Sequence, residues 1–176
     1  MCASIDGTGE IVEFIRKGIV WEQWLENFKE GLAAPGGKDK MLFDLTITGP
    51  GMFSIKDLFD LSLELDVRIE TKIMFAFHPD IVFSPFAWPK HILTRKIDEL
   101  LEYIEPRATN KQATLVKTLR EMRNRPSFEE QHPDEFVQGK KNGKGFQDRL
   151  DEIRDEKITI ADIYKADDEL YEWWTK

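Results

Sequence analysis

An α/β fold, with parallel strands covered by helices, is predicted by three observations. Three short segments have strand character, the stretches between them carry apolar residues at three- and four-residue spacing, and turn residues punctuate the junctions. Alternation of that kind favours a parallel sheet, because parallel neighbours need a crossover and a helix is the economical one.

The first element runs from Met1 to Gly7, where Ile5 precedes an Asp6-Gly7 turn and the residues suit a short strand. A strand placed directly at Met1 fits equally a chain that starts inside a domain and an ordinary N-terminal edge strand. Ile11, Phe14 and Ile15, then Trp21, Trp24, Leu25 and Phe28, predict two amphipathic helices broken near Gly18 and ended by Ala34-Pro35-Gly36-Gly37. Met41 to Thr48 reads as a strand with Phe43, Leu45 and Ile47 on one face, closed by Gly49-Pro50-Gly51.

Ile55, Leu58, Phe59, Leu61, Ser62 and Leu65 predict the next helix, and Val67 to Phe77 the third strand, with charges at Arg68, Glu70 and Lys72 and a more buried second half. His78 to Pro89 carries three prolines and reads as a loop, after which Ile92 to Ile104 forms a helix that stops before Pro106. A three-stranded parallel sheet is small for this chain and leaves an edge unpaired, so the strands look like part of a larger sheet.

Beyond Thr109 the pattern changes. Leu115, Leu119 and Met122 predict a helix with a basic side, Pro126 to Gly145 reads as a mobile polar linker, and Phe146 to Trp174 predicts short helices docking on the core. The expected organisation is a core unit over 1–106, a helix and linker over 107–145, and a C-terminal helical segment over 146–176.

The chain has 176 residues and 41% hydrophobic content, enough for one compact core. Its 25 Lys plus Arg stand against 33 Asp plus Glu, a net charge of -8 that repels phosphate backbones and anionic membranes. Nucleic acid and membrane are therefore not expected as partners. No apolar run approaches the roughly 20 residues of a bilayer span, and no signal peptide is evident, so a cytoplasmic location is expected. Cys2 is the single cysteine, which excludes an intrachain disulfide and a multi-thiolate metal site.

Few residues carry an obvious chemistry. Lys140-Lys141-Asn142-Gly143-Lys144-Gly145 resembles a phosphate loop but follows no strand and lacks the Gly-Lys-Ser/Thr ending, so a solvated basic loop is expected. His78, His91 and His132 lack metal spacing, and the pairs Glu129-Glu130, Asp151-Glu152 and Asp167-Asp168 read as solvated helix faces. Trp173-Trp174 reads as an anchor for the last helix, or as a partner hot spot, and Cys2 as a buried strand residue. Ser4 and Asp6 stand out because they end a predicted parallel strand, where such sheets bind ligands; turn-capping by Asp6 explains its position equally well.

These residues carry a resemblance. Ser4-Ile5-Asp6-Gly7, then Phe14-Ile15-Arg16-Lys17-Gly18 and Trp21-x-x-Trp24-x-x-Asn27-Phe28, resemble the segment after the fourth barrel strand of twitch and SPASM-type radical S-adenosylmethionine (SAM) proteins. Phe43 to Thr48 resembles their fifth strand, Val67 to Phe77 their sixth, Pro85 to Lys90 their Pro-rich loop, and Phe146 to Trp174 their closing segment. The resemblance implies the C-terminal half of a partial (βα)6 barrel, with Ser4 contacting SAM, Asp6 shaping the same turn, and Thr46 and Thr48 facing the same cavity. It departs from the family at the Gly49-Pro50-Gly51-Met52-Phe53 turn, where an Asn is usual.

The complete enzymes use SAM and a four-iron, four-sulfur cluster held by three clustered cysteines. With one cysteine, this chain is expected to bind no cluster and perform no radical chemistry alone. The implied partner is a missing N-terminal half or a separate chain carrying the cysteine motif. The competing reading is a non-enzymatic α/β binding or interaction module.

Overall fold

A computed structural model describes residues 2–75, 81–154 and 158–176. Its architecture is α/β and mostly helical, with one three-stranded parallel sheet. The strands are β1 (Cys2–Ile5), β2 (Leu42–Ile47) and β3 (Arg68–Ile73), hydrogen-bonded in chain order. Register places Ser4 beside Asp44 and Asp44 beside Glu70, and sets Ile5, Leu45 and Thr71 in one row.

Helices α1 (Gly9–Ile15), α2 (Trp21–Ala33) and α3 (Gly37–Lys40) link β1 to β2, and α4 (Ile55–Glu64) links β2 to β3. Then follow α5 (Lys90–Ile104), α6 (Ala113–Asn124), α7 (Phe128–Gln131), α8 (Pro133–Arg154), α9 (Ile160–Tyr164) and α10 (Asp168–Thr175).

Because strand side chains alternate, one face of the sheet carries Ile5, Phe43, Leu45, Ile47 and Ile69, all buried. The helices cover that face. Trp21, Trp24 and Phe28 stack at 5.5 and 5.3 Å along α2, and Phe28 meets Phe43 at 4.6 Å, so α2 seats an aromatic ladder on β2. On β3, the Thr71 and Thr118 hydroxyls lie 2.6 Å apart, which joins α6 to the same face. Helix α4 buries Ile55, Leu58, Phe59 and Ser62, one stripe at helical spacing.

The turn from α4 into β3 is fastened by polar groups. Asp66 adopts φ 55°, a left-handed conformation suited to ending a helix, and Lys111 donates to its carbonyl and pairs with its carboxylate. The Gln112 amide, buried nearby, donates to Ser62 Oγ and the Val67 carbonyl, both at 3.2 Å. These contacts fix where β3 begins.

Three expectations require correction. Pro126 to Gly145 is not a structureless linker: α7 starts with a Ser127–Glu130 capping box, and α8 continues helical to Arg154. Phe136, Gly143 and Gln147 are buried along α8, so tertiary packing holds a helix whose glycines would weaken it alone. The third strand stops at Ile73, and its most buried residue is Ile69 in its first half, because Arg68, Glu70 and Lys72 point to the open side. Residues 76–80, the end of that expected strand and the start of the following loop, lie outside the described residues.

The last helices are joined to the rest of the chain through Trp88. Trp88 donates its indole N–H to the Tyr164 hydroxyl at 3.0 Å, and Tyr164 packs edge-on against both Trp88 and Trp174. Full burial pushes the Tyr164 phenol well above its ordinary 10.0. Below pH 10 both folded and unfolded chains keep this phenol neutral; above it the unfolded chain ionises while the folded one resists, so stability falls as pH rises. Tyr164→Phe should remove that alkaline loss while lowering stability at neutral pH by about 1–3 kcal/mol, because it strands the indole N–H. Urea midpoints measured at about pH 8 and about pH 11 check this; an undiminished alkaline slope in the variant would refute it.

Candidate functional site

The second face of the sheet differs in chemistry. Ser4, Asp44, Thr46, Glu70 and Lys72 share it, with Cys2 and Arg68 toward the strand starts. Ser4 Oγ donates to Asp44 Oδ2 at 3.2 Å, and Lys72 Nζ donates to the same oxygen at 2.7 Å. Arg68 Nε lies 3.3 Å from Glu70 Oε1. The Lys72 side chain is 54% exposed and that of Asp44 22%, so these pairs sit at a wet surface and each contributes little to stability.

The arrangement offers two cations, two carboxylates and two hydroxyls across three adjacent strands. Such a surface can hydrogen-bond a ligand that carries both charges. It contains no nucleophile–base–orienter relay: Asp44, the carboxylate beside the Ser4 hydroxyl, is already neutralised by Lys72.

At the C-terminal ends of the strands the polar groups turn inward. Asp6 is 4% exposed and its carboxylate accepts from Arg16 Nε, contributed by the residue that caps α1. Thr48 Oγ1 accepts the Gly51 N–H at 3.0 Å, and Ser54, also buried, accepts the Thr8 N–H while donating to the Gly51 carbonyl. A Cβ on Gly51 would stand 2.3 Å from the Asp6 carbonyl oxygen, so only glycine lets the two turns approach this closely.

The four residues singled out in the sequence therefore separate. Ser4 and Thr46 lie on the polar sheet face; Asp6 and Thr48 are buried in the turns, where they set backbone geometry. Asp44, Glu70 and Lys72 were not singled out. Their signal was the alternation itself: fixing Phe43, Leu45 and Ile47 on the core side places Asp44 and Thr46 opposite, and Glu70 and Lys72 follow with the same period. Arg16 was visible only as part of a motif.

The remaining residues resolve as follows. Trp174 is a buried anchor, whereas Trp173 is half-buried. Asp167 caps α10 and receives both 2.9 Å bonds from Arg95, and Glu130 closes its capping box, so neither is merely a solvated acid. His91 Nε2 lies 2.6 Å from Glu169; His78 is outside the described residues. Cys2, expected to be buried, is exposed, because it opens an edge strand on the polar side. Lys140 to Gly145 lies within α8 and forms no loop.

Among the described residues no cluster of three or more His, Cys, Asp or Glu side chains could hold a metal ion, and no helix is long and apolar enough to cross a membrane. Comparison with protein-family models, with curated proteins and with solved structures gives no match.

Proposed function

We propose that this chain is a half-domain of a radical SAM-type enzyme, supplying part of a SAM and substrate cavity to a partner that carries the cysteine motif. The supporting observation is the two-faced parallel sheet. Helices cover one side, while the other carries Ser4, Asp44, Thr46, Glu70 and Lys72 partly open to solvent, the distribution expected of strands whose polar side lines an interior. Among the described residues β1 pairs on one side only, which leaves an edge able to accept a further strand.

In the complete enzymes the cluster and SAM together furnish the radical chemistry; a single cysteine gives this chain no share in holding the cluster. Its own contribution is orientation. Ser4 and Thr46 offer hydroxyls, Lys72 a cation and Glu70 a carboxylate to a bound zwitterion, and the Asp6–Arg16 pair with the Gly51 turn keeps β1 and β2 in register beneath it.

Co-expression with a radical SAM N-terminal half bearing three clustered cysteines should give a soluble 1:1 complex that binds SAM. In that complex, the Ser4→Ala, Thr46→Val double variant should weaken SAM binding by about tenfold, the worth of one or two hydrogen bonds to a charged ligand. A monodisperse monomer that ignores the N-terminal half would defeat the proposal.

The alternative, a non-enzymatic binding module, is favoured by the internal pairing of Arg68 with Glu70 and Lys72 with Asp44, which leaves the face electrostatically satisfied as it stands. It predicts cooperative unfolding of the isolated chain with no dependence on a partner.

A further inference from the structure

Two motifs distant in sequence meet away from the sheet. Helix α8 presents Lys140, Lys141 and Lys144 beside Trp173 of α10, and the two helices enclose an open groove of about 640 Å³. Its apolar surface comes from Phe136, Val137 and Trp173, and Val137 is 69% exposed. That volume falls in the range of small-molecule sites, about 300–1,000 Å³.

The cations are not randomly displayed. Lys140 Nζ donates to the Trp173 carbonyl at 2.5 Å and lies 4.2 Å from the centre of the Trp173 ring, which holds the ammonium at the groove wall. Burial lowers the affinity of Lys140 for its proton, since desolvation penalises the charged form, and Glu129 at the groove offsets part of that penalty. Lys144 Nζ is 2.7 Å from Asp148 and 5.5 Å from the Trp174 ring centre, and Lys141 is exposed one residue beyond Lys140. Lys176 also lines the groove, as does Glu129 of α7, so four lysines face two carboxylates there and, on a chain of net charge -8, form a local reversal of sign.

We infer that the α8–α10 groove binds a small organic carboxylate with a flat apolar body. The body lies on Val137 and the Trp173 ring, and the carboxylate takes up Lys141 and Lys144, with Lys140 fixed behind them. Asp148 competes with the ligand for Lys144, so it sets the affinity from within the site. This inference is independent of the sheet-face proposal, because the groove shares none of its residues.

The test uses the full chain and three probes: 1-naphthoate, its uncharged counterpart 1-naphthalenemethanol, and inorganic phosphate. Tryptophan fluorescence and calorimetry should show saturable 1:1 binding of naphthoate, about tenfold weaker binding of the alcohol and no saturable binding of phosphate. The Lys141→Gln, Lys144→Gln double variant should lose about tenfold in naphthoate affinity, whereas Asp148→Asn should gain severalfold, with circular dichroism confirming that each remains folded. No naphthoate binding, equal binding of acid and alcohol, saturable phosphate binding, or indifference to all three substitutions would overturn the inference. The Asp148 variant keeps the test decisive, since a gain cannot arise from misfolding.

Discussion

Replacing Trp88 with alanine should destabilise the protein by about 3–5 kcal/mol, the range for deleting a large buried aromatic. Trp88 is 1% exposed, lies 5.9 Å from Phe53 and 5.6 Å from Tyr164 between ring centres, and gives Tyr164 its hydrogen bond. Removing it therefore opens a void between the turn after β2 and α9, and unfastens the last two helices. Trp88→Phe keeps much of the ring volume but loses the indole N–H, so a smaller cost of about 1–3 kcal/mol is expected. Urea denaturation measures both. A cost below about 1 kcal/mol for the alanine variant would mean that the C-terminal helices are not held through this residue.

The second large effect is expected at Gly51. Alanine there places a methyl carbon 2.3 Å from the Asp6 carbonyl oxygen and 2.7 Å from Thr48 Oγ1. The nearer obstacle is backbone, so no rotamer change relieves it, and the turns after β1 and β2 must separate at a cost of about 1–3 kcal/mol or more. Gly145→Ala is the matched control: nothing lies within 4 Å of its added carbon, and the helix interior of α8 favours alanine by up to about 1 kcal/mol. Thermal denaturation of the two variants should move in opposite directions. Equal midpoints would indicate that the Asp6–Gly51 approach is looser than the distances imply.

The β-strands were legible because Phe43, Leu45 and Ile47 alternate with Asp44 and Thr46, a period that fixes both the element and its two faces. The helix stripes were equally readable: Ile92, Leu93, Ile97, Leu100 and Ile104 are all buried on α5. Helix α8 was not. Gly139, Gly143 and Gly145 lower its intrinsic propensity, and only the fold reveals that Gly139 allows close packing: a Cβ there would approach Ile81 to 3.3 Å. The polar sheet face was legible residue by residue but not as a set, because register decides which charges become neighbours, and register is long-range. Nothing in the spacing could have brought Lys140 beside Trp173, since that contact depends on how α8 and α10 dock.

The chain-order pairing of the strands also bears on how the molecule is made. Each later strand joins one already synthesised, across register separations of 40 residues between Ser4 and Asp44 and 26 between Asp44 and Glu70. The sheet can thus grow vectorially as the polypeptide leaves the ribosome, without waiting for distant segments. The Trp88–Tyr164 clasp spans 76 residues, so a nascent chain halted before Tyr164 would display an assembled sheet with its aromatic socket unfilled.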